Sequence, residues 1–496
     1  MSILFPSPRQ LLPTLLFASI FAMACREITD PDYWWHLRTG QYILETRSVP
    51  YQDPFSLTMQ GQPWITHEWL SEVLMYGLYN TFGSPGPILA FAAIITAAFF
   101  MVYRQCPGRP HLAVFTTLLA ALASAVTWGP RPQMITMFLA SLLLYLLHLH
   151  REGRRNLLWL IPLLIILWAN AHSGYILGLA LLLAVISGQG LGKIVNRLSQ
   201  GKEAQEGVMQ IGYFAAITAS SIVAATINPN GIKLLSYPFA TLTSQAMQTY
   251  IQEWHSPDFH NPQFIPFALL LLATLGALAL SRSSIDATDL ILLLAFSLAS
   301  LISARHIPIF ALVAPPILTA ALLQVGRSWG LARPGTREEQ GRFPPRWVLA
   351  AINWFLLALI LVGVAVKAGT ALANNRAVEE QTFPSAAVEY LLESLPPGPM
   401  YNSYNWGGYL IWRLYPHYKV FIDGRADVYG DQFINFYMQA FRAKSNWQEP
   451  LDDYYIRMVL IEREGPLSTL LQESPQWQRT YADHLAAIYI REGEMQ

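Results

Sequence analysis

The sequence predicts an α-helical polytopic membrane protein of about eleven transmembrane helices, followed by an α/β domain outside the membrane. Three observations carry this. Charged residues are 13% of the 496, where a soluble chain carries roughly 25%. Hydrophobic residues are 53%, and the mean hydropathy is +0.31. Beyond residue 375 the composition changes, with most of the remaining charges and alternating helix and strand patterns.

The charge balance also excludes a class of function. Thirty-two basic side chains meet thirty-two acidic ones, so this is not a basic chain built for nucleic acid. Cys25 and Cys106 are too few for a disulfide framework and stand in no CxxC metal spacing.

A bilayer core of about 30 Å takes about 20 apolar residues in a helix. Runs of this kind fall near 10–26, 85–103, 111–127, 133–149, 156–170, 173–192, 208–226, 263–281, 287–304, 307–325 and 347–367. The first also ends like a signal peptide, in Ala22-Met23-Ala24-Cys25, but ten further spans follow and it is taken as an anchor. Three pairs of spans are parted only by 128–132, 170–173 and 304–307, and each is taken as a hairpin. Basic residues decide this through the positive-inside bias of short loops. With the N-terminus inside, cytoplasmic segments hold fifteen, including Arg9, Arg104, Arg109, Lys202, Arg282 and the five arginines of 327–346. The outer segments up to 376 hold eight, and fusing any hairpin would erase the asymmetry. The expected location is therefore a bacterial inner membrane, with a cytoplasmic N-terminus and an extracytoplasmic C-terminal domain.

The chain divides into a membrane domain at 1–375, with a long first outer loop at 26–84, and the α/β domain at 376–496. In the loop, 69–82 has Trp69, Leu70, Val73, Leu74, Gly77 and Leu78 at helical spacing, opposed by Ser71, Glu72 and Asn80. Fourteen residues reach about 21 Å, too short to cross, so this is a helix lying in the interface. In the C-terminal domain 384–395 is expected to be helical, and 418–423, 458–462 and 486–491 to be strands. There is no internal repeat.

The spans are nearly free of ionisable residues, and polar side chains collect at their outer ends. Asp30-Pro31-Asp32 stands just past the first span. Pro31 biases Asp30 toward an extended conformation, in which residues two apart point the same way. Two converging carboxylates would hold a divalent cation or deprotonate a hydroxyl; the plain alternative is a solvated turn. His36, Glu68, Arg131, His172, Glu253, Arg305 and His306 gather on the same face as candidate substrate-binding residues. Arg131 and Arg305 break the charge bias, and a guanidinium grips phosphate through paired hydrogen bonds, as it does ordinary lipid headgroups. Tyr33, Trp34, Trp35, Trp64 and Trp69 read equally as interfacial anchors or as sugar-stacking rings.

These features together resemble the GT-C class of membrane glycosyltransferases. More closely, the chain is similar to a set of uncharacterised bacterial multi-span proteins. That likeness rests on 32–37, on His67-Glu68-Trp69-Leu70, on 168–172, on Asn228-Pro229-Asn230-Gly231, on 304–308 and on 421–427. The GT-C resemblance implies an enzyme, an inverting transferase that moves a sugar from a polyprenyl-phosphate donor to an acceptor at the outer face. It also implies that Asp30 or Asp32 serves as base or as ligand to Mg²⁺ or Mn²⁺. A transporter or flippase of lipid-linked sugars is the main rival, but transporters show repeats and midplane sites. A non-catalytic scaffold is the third possibility.

The topology is directly testable. Alkaline phosphatase fused after Gln496 should be active, because that reporter matures only outside the cytoplasm. A reporter working there only in the cytoplasm would overturn the span count.

Overall fold

Prolines stand in the first turn of several membrane helices, those beginning at Pro85, Pro110 and Ile161 among others, where a missing backbone N–H costs nothing and the fixed φ suits the turn. The computed structural model describes residues 8–200, 205–281, 285–330 and 346–492. Lys202, Arg282, Arg333, Arg337 and Arg342, used above for sidedness, lie outside the described residues.

The chain opens with α1 (Pro8–Ala24), α2 (Asp32–Thr46) and α3 (Trp69–Phe82). Then come α4 (Pro85–Gln105), α5 (Pro110–Ser124), α6 (Gln133–Arg151), α7 (Ile161–Ala171), α8 (Tyr175–Gln200) and α9 (Gln205–Ala225). Two short helices, α10 (Tyr237–Thr243) and α11 (Gln245–Tyr250), precede α12 (Ile265–Leu280), α13 (Ala287–Ile302), α14 (Ile307–Ser328) and α15 (Arg346–Thr382). Each expected hairpin break, at 128–132, 170–173 and 304–307, interrupts the α-helix.

The expected span count needs correction. Among the described residues seven helices are long and apolar enough to cross a membrane, not eleven. Apolar helices also stand at the other four expected positions, Gln10–Ala24, Leu158–Ala171, Met209–Ala225 and Ala287–Ile302, but they have only 10–17 residues. Even seventeen residues reach about 26 Å, less than a core of about 30 Å. Helix α14 is central, with 67% of its apolar window buried, whereas α15 lies along α1 with 6% buried.

One local expectation also changes. Residues 30–32 are not an extended run: Pro31 is helical (φ −58°, ψ −32°) and Asp32 opens α2. The Asp30 carboxylate accepts the Asp32 amide at 2.9 Å, a capping contact, so the start of α2 is Asp-Pro helix punctuation. Helix α3 lies where expected, and the Ser71–Glu72 part of its polar face points inward. Ser71 and Glu72 are each 1% exposed, while Leu74 and Phe82 are 44% and 64% exposed. A Cβ on Gly40 would overlap the Glu72 carbonyl, so α2 and α3 pack backbone to backbone there.

The C-terminal region contains α16 (Ser385–Ser394), α17 (Gly407–Leu414), α18 (Ala426–Phe441), α19 (Glu449–Asp453) and α20 (Pro466–Glu473). Strands β1 (Met400–Asn402), β2 (Met458–Glu462), β3 (Trp477–Ala482) and β4 (Ala486–Arg491) form one sheet of order β1-β2-β4-β3. Only the β1–β2 pair is parallel. The strand expected at 418–423 is absent from the sheet; Val420 instead makes one bridge to Ser56 of the first loop. The apolar core is continuous between regions, with Ile20, Trp34 and Phe310 in one cluster with Leu410 and Ile488. The expected boundary at 375 falls inside α15, where the Asn375 side chain accepts the Ile28 amide at 2.8 Å.

Arg425 ties the regions together. Its guanidinium bonds Asp423 through Nε and Nη2, at 2.8 and 2.7 Å, and Asp53 of the first loop through Nη1 at 2.7 Å. It also lies over Trp64 at 4.6 Å. All three charged side chains are essentially buried. Arg425→Met leaves two buried carboxylates without their cation and should cost about 3–5 kcal/mol. Denaturant unfolding in detergent should show this loss, and wild-type stability would remove Arg425 from its role as a tie.

Candidate active site

The connections at one end of the bundle converge on a cleft beneath the C-terminal region. Its lining includes Asp32, Trp35, His36, Trp64, His67, Glu68, Glu72, Arg131, Glu253, Arg305, Gly424, Arg425 and Asp427. A neighbouring cleft of about 630 Å³ shares Asp32, Arg131, Glu253 and Gly424, and adds Arg26, Asp30, Trp128 and Lys367.

The two acids at the start of α2 are held differently. Asp30 Oδ1 caps the Asp32 amide, and Oδ2 faces the Arg131 Nε at 3.1 Å. Asp32 Oδ1 accepts the Trp35 indole N–H at 3.1 Å. A Cβ on Gly424 would overlap the Asp32 carboxylate, so only glycine lets the C-terminal loop close over it. Burial first, and the Asp30 charge second, push the Asp32 carboxyl up to about 7. With Arg131 against Asp30, this carboxylate pair is a poor cradle for a second cation.

Arg131 sits between two acids. Its fork meets both Glu253 oxygens, at 2.5 and 3.1 Å, and holds that carboxyl below the usual range against the effect of burial. The Arg305 guanidinium lies over the Trp254 ring at 5.2 Å, and no carboxylate pairs with it among the described residues. His306, next to it, is not among the residues that line either cleft, and its Nδ1 is buried without a partner.

Deeper in the cleft Glu68 is ringed by histidines. His36 Nε2 lies 3.4 Å from Glu68 Oε2, while His67 Nε2 and His172 Nε2 lie 3.3 and 3.1 Å from Oε1. Burial works against the Glu68 charge, yet His67, His36 and His172 hold it well below the usual carboxylate range. The Gly174 amide donates to His172 Nδ1 at 2.8 Å, so the ring proton sits on Nε2 and points at Glu68. Burial keeps His172 neutral, its pKa lowered to about 3. The other face of His36 meets Glu72, Nδ1 to Oε1, at 3.3 Å. His36, Glu68 and Glu72 form a buried cluster able to coordinate a divalent cation.

The aromatic residues divide. Tyr33 and Trp34 are wholly packed in protein, Trp34 against Tyr33, Phe383 and Tyr409, while Trp35 and Trp64 line the cleft. Trp69 donates to Asn170 at 2.8 Å. Sequence reasoning did not single out His67, Glu72, Gly424, Arg425 or Asp427 as site residues. Glu72 stands four residues after Glu68, hence on the same helix face, which is a usable signal. For 424–427 no local signal leads to Asp32, almost four hundred residues earlier.

No family model and no curated protein matches the chain. Solved structures do. The archaeal oligosaccharyltransferase AglB from Archaeoglobus fulgidus, in complex with an inhibitory peptide and a dolichol-phosphate, aligns with a TM-score of 0.55 at 12% identity, over 98% of this chain and 75% of that one. An Archaeoglobus fulgidus oligosaccharyltransferase in the apo form gives 0.55 at 12%, over 92% and 70%. ArnT from Cupriavidus metallidurans, bound to undecaprenyl phosphate, gives 0.50 at 15% identity over 97% of both chains. At such identities the likeness establishes the fold, and the fold is that of the GT-C membrane glycosyltransferases.

Proposed function

We propose that this protein is a membrane glycosyltransferase that moves a sugar from a polyprenyl-phosphate donor to an acceptor at the outer face of an inner membrane. One observation carries this reading: a carboxyl poised near neutrality, Asp32, stands where an aromatic-lined cleft joins a second, basic-rimmed cleft at the helix ends. The long apolar helices would hold the chain in the membrane, leaving residues 376–496 outside.

The chemistry follows from charge placement. A lipid-linked donor keeps its tail in the bilayer and its phosphate at the surface, beside Arg26 and Lys367 at the rim of the larger cleft. The sugar would then rest against Trp35 and Trp64, with Arg305 facing it. Asp32 is the base: a carboxyl near neutral pKa can take the proton of an acceptor hydroxyl as its oxygen attacks the sugar carbon. The bond from that carbon to the donor phosphate oxygen breaks on the opposite face, so the configuration inverts. The departing phosphate keeps the bonding pair, and the basic rim offsets its growing charge. Asp30 positions rather than reacts, since it caps α2 and orients Arg131.

AglB is described with a dolichol-phosphate and ArnT with undecaprenyl phosphate, which supports a polyprenyl-phosphate donor here. A flippase of the same lipids fits less well, because the polar groups gather at helix ends rather than near the midplane.

The test is a panel of polyprenyl-phosphate sugars offered to the protein in lipid nanodiscs, with released lipid phosphate as the readout. Asp32→Asn keeps shape and removes the base, and should slow turnover about 100-fold or more, the loss of roughly 3 kcal/mol at the transition state. Full turnover in Asp32→Asn would refute the mechanism.

A further inference from the structure

We propose that His36, Glu68 and Glu72 form a transition-metal site on the floor of the cleft, suited to one Zn²⁺ ion and separate from the Asp30–Asp32 pair. The site stands whether or not the chain transfers a sugar. The three side chains are 2%, 5% and 1% exposed, and one ligand atom from each lies within 4.8 Å of the others.

Three observations point to a cation. The first is an orphan: Glu72 Oε2 is buried with no hydrogen-bond partner. A buried carboxylate oxygen left unpaired is costly, and a metal bond is one way to satisfy it. The second is spacing. His36 Nε2 lies 3.4 Å from Glu68 Oε2, and Nδ1, on the other edge of the ring, lies 3.3 Å from Glu72 Oε1. Charge-assisted N–H···O bonds settle at about 2.7–2.9 Å. Ligands about 2.0–2.1 Å from a tetrahedral ion stand about 3.3 Å apart, which is the spacing of the Nε2–Glu68 pair, with a Glu72 oxygen within 4.8 Å of both.

The third is the surrounding shell. Ligands of a bound metal are oriented by outer hydrogen bonds, typically from an imidazole N–H to a carbonyl or onto a ligating carboxylate. Both are present. His172, its Nδ1 taken by the Gly174 amide, directs Nε2–H at Glu68 Oε1 and so cannot itself ligate. His67 donates Nδ1–H to the Ile65 carbonyl at 3.1 Å, which turns its Nε2 toward the same Glu68 oxygen.

The donor set selects the ion. Imidazole with carboxylates suits Zn²⁺, and Mn²⁺ less tightly, whereas Mg²⁺ and Ca²⁺ prefer all-oxygen shells. The ion's position, between α2 and α3 where Gly40 meets the Glu72 carbonyl, would staple the two helices together under the cleft.

The test reads bound metal, not activity. Full-length protein in detergent is stripped with a chelator, offered Zn²⁺, Mn²⁺ or Mg²⁺, desalted and assayed by inductively coupled plasma mass spectrometry. The expected result is one Zn²⁺ kept per chain and no Mg²⁺. Glu72→Gln, close in shape, should weaken Zn²⁺ retention about 100-fold or more, while Asp30→Asn and Asp32→Asn keep it. Co²⁺ in the wild-type chain should give the visible absorption of a four-coordinate site, a readout that needs no variant. Wild-type protein that keeps no Zn²⁺, retention untouched by Glu72→Gln, or retention lost in Asp32→Asn would each overturn the site.

Discussion

A guanidinium that gives up nearly all its water must recover that solvation from protein, and Arg425 recovers it from Asp53 and Asp423. One carboxylate belongs to the first loop and the other to the C-terminal region, so the charge is satisfied only when the two are docked. The trio carries a net negative charge. Tyr429 absorbs part of it at Asp423, and the Ser56 hydroxyl and the Phe55 and Ser56 amides absorb part at Asp53. The neighbours of Arg425 in sequence then have little freedom: Gly424 is set against Asp32, and Asp427 enters the cleft. The cleft thus has a roof because an ion pair between distant segments has no other way to be neutralised.

Under that roof two carboxylates two residues apart are given different partners. Arg131 lies against Asp30 and Glu253, which leaves Asp32 with one indole N–H and a like charge beside it. Proximity alone would make Asp30 and Asp32 look interchangeable. The arginine breaks the symmetry, so one acid serves the helix and the other faces the cleft.

The legible part of the fold was the part ruled by lipid. The positions of the apolar helices, their breaks and the span of α3 follow from hydropathy, proline and charge, because the bilayer admits few alternatives. Strands β2 and β4 were equally plain in their β-branched runs. The reading of α3 as an interfacial helix left open which way its faces turn. At a membrane surface the apolar side can meet lipid while Ser71 and Glu72 turn into a wet cleft. Residues 418–423 imitate a strand because Val420, Phe421 and Ile422 are all buried, yet they pair with the first loop instead of the sheet. Helix α2 was hidden by its aromatics, although Asp30 followed by Pro31 was a start signal. Nothing local could bring Gly424 to Asp32; that contact exists only through the fold.

Helix α15 runs unbroken for 37 residues, about 55 Å, from the membrane to the edge of the C-terminal region. A bilayer core takes about 30 Å of it, so the remainder is a rigid post rather than a flexible tether. The Asn375 bond to the Ile28 amide fixes the rotational phase of this post against the segment leading into Asp30. One residue inserted ahead of Asn375 would lift everything above it by about 1.5 Å and turn it by about 100°. The length of α15 therefore behaves as a ruler: membrane thickness on one side and the seat of Gly424 on the other are measured by the same helix. Drift in its sequence is tolerable where drift in its residue count is not.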